Sequence, residues 1–315
     1  MSTRSRTLST RTARAAAFLL AGGLLLTAPA TAGAFDLSSI DTGSLGGLLD
    51  PGSSNPVLAP TPKLSSVANF RDVAGNDGAG YATSDGKHLK RGVIYRSNAL
   101  TKTSDADKAT LTTLGLADVY DLRGAAEIAN PLVGGQDKLP DGVAYKSIPI
   151  EFADLVQLAQ TIQSPEQGRQ FMIDTNRSFV TDPARRAGFA QVLTDIATGD
   201  GAQLFHCTSG KDRTGWTSML LQSIAGVPAA TVMDDYLLSN TYLAETNQKT
   251  LAQITAAMGA QAAANLTPVL GVDQSFLEAG LAQITADYGS VSNYLTEGLG
   301  LSPATIAALK AKLVG

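Results

Sequence analysis

The alternation of apolar and polar positions divides the chain into three stretches. An unbroken apolar run from Ala15 to Leu26 follows four arginines (Arg4, Arg6, Arg11, Arg14) and precedes a small-residue stretch, Ala28 to Ala34. Charged, apolar and small-residue segments in that order form an export signal, and the run is shorter than the about 20 apolar residues of a spanning helix. Residues 1–34 are therefore expected to be removed after Ala32 or Ala34, leaving a secreted protein; an uncleaved membrane anchor is the rival reading. Residues 35–62 are rich in Gly, Ser and Pro without a sustained period and read as a flexible tether. The folded domain is expected over 63–315.

Within that domain the period changes repeatedly. Asp85-Gly86, flanked by Tyr81 on one side and Val93, Ile94 and Tyr95 on the other, predicts a hairpin over 81–96. A helix is expected from Thr103 to Leu114, with Ser104 at its start and Gly115 at its end. Short apolar runs predict strands at Ala117–Leu122, Val143–Ile150 and Ala202–His206, with helices at Phe152–Ile162 and Ala184–Ala197 between the last two. Strands alternating with helices give an α/β fold: a mainly parallel central sheet with helices on both faces.

After the third run the pattern becomes helical, at Arg213–Ala225, Ala229–Ser239, Tyr242–Met258, Ser275–Tyr288, Val291–Glu297 and Ser302–Leu313. Ser302-Pro303 marks the last start, a capping serine followed by proline in the first turn. Leu243, Leu251, Ile254 and Met258 share one face, and Gly259–Leu266 is Ala-rich and weakly amphipathic. No second long apolar run occurs, so no membrane span is expected after cleavage.

Charge narrows the function. Residues 1–34 hold four of the 24 basic residues and none of the 28 acidic ones, so the remainder carries a net charge of −8. Such a balance argues against nucleic acid as a partner, because phosphate-backbone binding needs clustered positive charge. Two histidines, His88 and His206, give no basis for a Cys-His hydrolase or a His-rich metal site. The single cysteine, Cys207, has no partner for an internal disulfide, and a lone cysteine is by default a small buried hydrophobe.

The neighbours of Cys207 change that default. His206-Cys207-Thr208-Ser209-Gly210-Lys211-Asp212-Arg213-Thr214 lies between an apolar strand and a strong helix pattern, with five residues between Cys207 and Arg213. Such a loop can curl so that the backbone N–H groups of Thr208, Ser209, Gly210 and Lys211 point at one centre, reinforced by the N-terminus of the next helix. A phosphate would sit there, with Arg213 closing over two of its oxygens. The same field favours a thiolate at Cys207, the form able to attack phosphorus, and Thr214 can stabilise the sulfur when it leaves. His206 points away from Cys207 along the strand and reads as a buried residue bonded to backbone.

The segment resembles the HCxxGKDRTG signature of the atypical bacterial tyrosine and phosphoinositide phosphatases. Asn69-Phe70-Arg71-Asp72-Val73-Ala74-Gly75 is similar to that family's first motif, with Ala74 where glycine is usual. Tyr95-Arg96-Ser97, Asp121-Leu122-Arg123 and Asp235-Tyr236-Leu237-Leu238-Ser239-Asn240 match three more stretches in order. The resemblance spans residues 63–313. It implies a three-layer phosphatase fold, no metal or other cofactor, a phosphorylated protein or phosphoinositide as substrate, and a helical lid inserted after the catalytic loop, here 245–268. It also implies roles for Lys211 and Asp212.

The proton donor to the leaving oxygen stays open. Asp212 is the first choice from the family pattern, Asp121 at a strand end the second, and Glu151 and Asp154 the third. Lys211 would suit a substrate with more than one phosphate. Arg123 and Glu127 read as an i,i+4 surface pair, and Arg71, Asp72 and Arg96 as supports of the site. A non-catalytic phosphate-binding module and a rhodanese-like sulfur transferase are the rival functions; the GKDRT continuation favours phosphoryl chemistry.

Overall fold

Five strands set the frame of the computed structural model, which describes residues 59–130, 134–153, 158 and 160–315. The expected export signal and residues 35–58 of the tether lie outside the described residues. The strands are β1 (Arg71–Asp72), β2 (Ile94–Ser97), β3 (Leu116–Asp121), β4 (Ala144–Ser147) and β5 (Ala202–His206), in the order β1-β2-β5-β3-β4. All pairings are parallel except that of β1 with β2. Registers align Ser97 and Asp121 with His206 on either side of β5, so three strands finish level and the chain passes from His206 into the Cys207 loop at their carboxyl edge.

Helices α1 (Asp105–Thr113) and α2 (Ala125–Ala129) follow β2 and β3, and α3 (Pro165–Thr181) and α4 (Pro183–Thr198) lie between β4 and β5. After β5 come α5 (Arg213–Ala225), α6 (Ala229–Met258), α7 (Ala260–Leu270), α8 (Gln274–Tyr288) and α9 (Pro303–Leu313). Period-two alternation sorts the strand side chains into two cores. Tyr95, Val119 and Leu204 join Leu100 and Leu111 beneath α1. Ile94, Tyr120 and Phe205 point the other way, into a larger core with Phe179 of α3, Phe189 of α4 and Trp216 of α5. Helices on both faces of a mainly parallel sheet are thus the observed architecture.

Several boundaries differ from the sequence reading. The 81–96 hairpin shrinks to a single bridge, Ala82 to His88, with Leu89 N still donating to Tyr81 O at 2.9 Å; Leu89 also bridges to Val314, and Gly92 then turns the chain at φ 81°. The two helices expected on either side of Asn240 are one 30-residue helix, α6, about 45 Å long at 1.5 Å per residue. Asn240 does not break it, since its amide exchanges two 2.9 Å hydrogen bonds with the Val272 backbone. The helix α3 was not predicted, although Ser164-Pro165 caps it as Ser302-Pro303 caps α9. The expected helix Phe152–Ile162 falls partly outside the described residues. At the other end, the tether's last residues are docked: Arg91 donates to Ala59 O at 2.9 Å, and Thr61 N to Asn76 O at 2.7 Å.

The apolar face of the second half of α6 is consumed by packing. Ile254 is fully buried in a separate cluster with Met172 of α3, Leu266 of α7 and Phe276 of α8, and Leu251 and Met258 pack against it. Replacing Ile254 with alanine is expected to lower the unfolding free energy by about 2–5 kcal/mol, the cost of lost burial plus a cavity. Urea titration followed by circular dichroism measures it; a loss below about 0.5 kcal/mol, the size of a surface change, would mean that the cluster does not form in solution.

Candidate active site

Cys207 leaves the end of β5, and the loop to Asp212 doubles back over the ends of β2 and β5 before α5 begins at Arg213. This path requires glycine at 210: φ is 68°, and a Cβ there would stand 2.2 Å from Ser97 O. The loop carbonyls are held from outside. Thr208 O accepts from Ala99 N at 3.1 Å, Ser209 O from Asn69 Nδ2 at 3.3 Å, and Gly210 O from both Asn69 Nδ2 at 2.8 Å and Arg96 Nη2 at 2.9 Å. A trans peptide points its N–H opposite to its carbonyl, so the N–H groups of Ser209, Gly210 and Lys211 face away from these clamps. That turns them toward the cleft, which the loop lines.

The cleft has a volume of about 590 Å³ and brings Cys207, Thr208, Ser209, Lys211, Asp212 and Arg213 together with Glu127 and Phe152. Lys63, Lys102 and Lys249 line it farther out, and Thr241–Thr250 of α6 with Val269 and Leu270 of α7 form one wall.

Burial pushes the Cys207 thiol up, but the Arg213 charge and the hydroxyl and N–H of Thr214 outweigh it, so the thiol lies below its ordinary value. Thr214 Oγ1 completes no other hydrogen bond among the described residues. Arg213 is held end-on by Glu127, Nη1 to Oε2 at 2.6 Å and Nη2 to Oε1 at 2.7 Å, while Nη1 also meets Leu122 O and Ile150 O. Its Nε is buried and has no hydrogen-bond partner among the described residues. A guanidinium has five N–H donors, so one edge, Nε with the second hydrogen of Nη2, is left to bind an anion.

Glu127 is therefore not half of a surface pair with Arg123. It also accepts from Thr208 Oγ1 at 2.6 Å and Gly124 N at 3.0 Å, and despite burial these donors hold its carboxyl below the usual range. Arg123 turns the opposite way. It forks onto Asp121, with Nε–Oδ1 2.9 Å and Nη2–Oδ2 2.7 Å, and reaches Asp137 Oδ1 at 3.0 Å. Asp121, fully buried and also bonded by Tyr145 OH at 2.9 Å, does not line the cleft, so the structure does not bring this acid candidate to the site. Glu151 is exposed and outside the lining, and Asp154 lies outside the described residues. Asp212 lines the cleft, with both oxygens 2.9 Å from Lys211 Nζ. Lys211 is correspondingly buried rather than solvated.

His206 is buried behind the cysteine. Its Nδ1 meets Cys207 O at 3.2 Å, as expected of a backbone-bonded residue, but its Nε2 meets Asp137 Oδ2 at 2.8 Å. Burial would lower its pKa, yet Asp137 and Asp121 raise it overall and favour the imidazolium. Asp121, Asp137 and His206 are the one metal-spaced cluster among the described residues, and Arg123 already occupies both carboxylates.

Arg71 and Arg96, expected only as supports, flank a buried carboxylate that the sequence reading passed over. Asp235 of α6 takes Arg71 Nε at 3.2 Å and Arg96 Nη1 at 3.1 Å. Asp72 lies apart, accepting from Ala74 N and Gly92 N. The overlooked residues Glu127, Asp137 and Asp235 share one trait, pairing across 69 or more positions of sequence, which no local spacing reveals.

Residues 62–315 match the tyrosine phosphatase family. A Cupriavidus necator protein, described provisionally as a tyrosine-protein phosphatase, is 35% identical over 245 residues, 77% of this chain and 85% of that one. The Mycobacterium tuberculosis triple specificity protein phosphatase PtpB is 29% identical over 286 residues, 80% of this chain and 99% of its own. A Nostoc commune tyrosine-protein phosphatase is 32% identical over 228 residues, 70% and 74% of the two chains. With a cysteine loop at the carboxyl edge of a parallel sheet and a family match across the whole described domain, the chain belongs to the tyrosine phosphatase family.

Proposed function

We propose that the chain is an exported, cysteine-dependent phosphomonoester phosphatase that acts on phosphotyrosine and phosphoinositide substrates through a cysteinyl-phosphate on Cys207. One observation carries this reading: a thiol of lowered pKa lies in the same cleft as an arginine whose Nε is buried and has no hydrogen-bond partner among the described residues. The thiolate attacks phosphorus as the P–O bond to the leaving group breaks, and the departing oxygen takes a proton from Asp212. Water then attacks phosphorus, Asp212 accepts its proton, and the sulfur leaves with Thr214 Oγ1 beside it. Arg213 and the loop N–H groups bind the equatorial oxygens, whose charge they stabilise in both steps.

Asp212 is ion-paired with Lys211, and a phosphate dianion in the cradle competes for that ammonium. The lysines that line the cleft, Lys63, Lys211 and Lys249 among them, supply counter-charge for an inositol ring with a second phosphate. What supports a lid over 245–268 is that Glu245–Asn247, Lys249 and Thr250 of α6 line the cleft, while Leu251, Ile254 and Met258 beyond them pack into the separate cluster. Export rests on the order of charged, apolar and small residues in the first 34 positions. Among the described residues no helix is long and apolar enough to cross a membrane.

Parallel phosphate-release assays on phosphotyrosine, phosphoserine and phosphoinositide substrates test the specificity, and N-terminal sequencing of protein from the culture medium tests export. Cys207→Ser is expected to abolish hydrolysis while vanadate still binds, because the cradle remains. Near-normal turnover would remove Cys207 as nucleophile.

Glu127→Gln is expected to lower kcat/KM by about 10- to 100-fold by releasing the guanidinium from its end-on hold. Asp212→Asn should slow alkyl phosphates far more than aryl phosphates, whose leaving groups need less protonation; equal losses would assign Asp212 to positioning alone.

The thiolate is a separate measurement. Because the folded pKa is lowered, alkylation of Cys207 by iodoacetamide should rise with pH along a profile centred below the ordinary 9.0 of a free thiol and level off above that midpoint. Thr214→Ala should shift that plateau to higher pH. A wild-type profile centred at 9.0 would mean that Arg213 and Thr214 do not tune the sulfur.

A further inference from the structure

The chemistry above uses the side of the loop that faces the cleft, and leaves unexplained a set of charges buried beneath it. Asp235, Arg71 and Arg96 are each about 1% exposed or less. Burying three ions carries a large desolvation penalty, which close pairing offsets only in part, so their contacts matter. Asp235 offers each oxygen to a different arginine, Oδ1 to Arg71 Nε and Oδ2 to Arg96 Nη1, and Tyr81 OH adds a third contact at 3.2 Å.

Both arginines lead to the same atom. Arg96 Nη2 donates directly to Gly210 O. Arg71 Nη1 donates to Asn69 Oδ1, which fixes the Asn69 amide so that its Nδ2 donates to Gly210 O and Ser209 O. Asn69 itself adopts a left-handed backbone, φ 57°, to make this reach. The Gly210 carbonyl belongs to the peptide whose N–H is that of Lys211, on the cleft side. If that peptide turned over, the cradle would lose a donor and present a carbonyl oxygen to an anion.

We infer that Asp235, acting through Arg96 on one arm and through Arg71 and Asn69 on the other, is a positioning residue of the phosphatase reaction that locks the Gly210–Lys211 peptide with its N–H toward the bound phosphate. The inference rests on the phosphatase reading above. It assigns a task to two of the sequence motifs that hold no reacting group, Asn69–Gly75 and Asp235–Asn240, and it explains why α6 is pinned to the sheet at its second turn.

Two variants test it. Asp235→Asn breaks both ion pairs, and Asn69→Gly removes one clamp while sparing every buried charge and allowing the same positive φ. Each folded variant, checked by circular dichroism, is assayed for p-nitrophenyl phosphate hydrolysis, vanadate affinity and the pH profile of Cys207 alkylation. The expected result is a fall in kcat/KM of about 10- to 100-fold, the scale of losing one oriented donor, weaker vanadate binding, and alkylation shifted to higher pH. A merely structural role would lower the urea midpoint and leave vanadate affinity and the alkylation profile of the folded protein unchanged, and that result would overturn the inference. Should Asp235→Asn not fold, Asn69→Gly decides alone. Vanadate binding and alkylation need no turnover, so a wild-type protein that fails to hydrolyse any phosphomonoester would refute the phosphatase reading while these two readouts still judge the clamp.

Discussion

A loop can aim several N–H groups at one point only if the carbonyls on the other side of the same peptides have somewhere else to go. Each trans peptide carries a donor and an acceptor pointing in opposite directions, and a buried acceptor without a partner is costly. In this protein the carbonyls of Thr208, Ser209 and Gly210 are satisfied by Ala99 N, Asn69 Nδ2 and Arg96 Nη2. Those donors stand where they do because β1 and β2 deliver Arg71 and Arg96 side by side in register, with Asn69 two residues before Arg71. The sheet therefore does more than carry the loop at its edge. The strands β1 and β2 and the residues flanking them supply the groups that choose which way the peptides face.

The same reasoning applies to Arg213. A guanidinium free to rotate would lose much of its advantage over an ammonium, because planar recognition depends on a fixed fork. Glu127 takes the end of the fork, Leu122 O and Ile150 O share Nη1, and the Nε edge is what remains. Glu127 also accepts from Thr208 Oγ1 and so ties the arginine to the first turn of the loop. Arginine, loop and α2 thus form one hydrogen-bonded unit, and a displacement of α2 would be felt at the phosphate site.

How much of this was legible in the sequence depends on the range of the interaction. The strands β3 and β5, the helices α1, α5, α8 and α9 and the loop itself are set by short-range signals: alternation, capping residues, glycine at a tight turn. The sequence reading placed them closely. It misplaced Glu127, because i,i+4 spacing from Arg123 suggested a surface pair, whereas Arg123 is drawn back onto Asp121 two residues earlier and Glu127 forward onto Arg213. It put a break at Asn240, where tertiary hydrogen bonds to Val272 let the helix continue. Asp235 lay inside a recognised motif, yet nothing local indicates that its partners come from β1 and β2. Side chains that act across the fold are visible only once the fold has brought them together.

The buried charges around the loop explain why a thiolate is at home there. Arg71, Arg96, Arg123, Lys211 and Arg213 stand against the carboxylates of Asp121, Asp137, Asp212, Asp235 and Glu127, and the His206 imidazole, whose pKa Asp137 and Asp121 raise, lies between those two. Within the triad two arginines share Asp235, so that group by itself carries one positive charge in excess. Cys207 and Arg96 act on each other electrostatically, as Cys207 and Arg213 do. Ionising the cysteine therefore places its charge beside Arg213 and this positive group instead of adding an isolated buried charge, which is the condition under which a buried thiol falls below its ordinary pKa. A phosphate dianion brings more negative charge than the thiolate alone can leave room for, and its binding must draw on Lys211 and the lysines of the cleft. On the proposed phosphatase reading, the inner charges would stabilise the nucleophile and the outer ones would recognise the substrate.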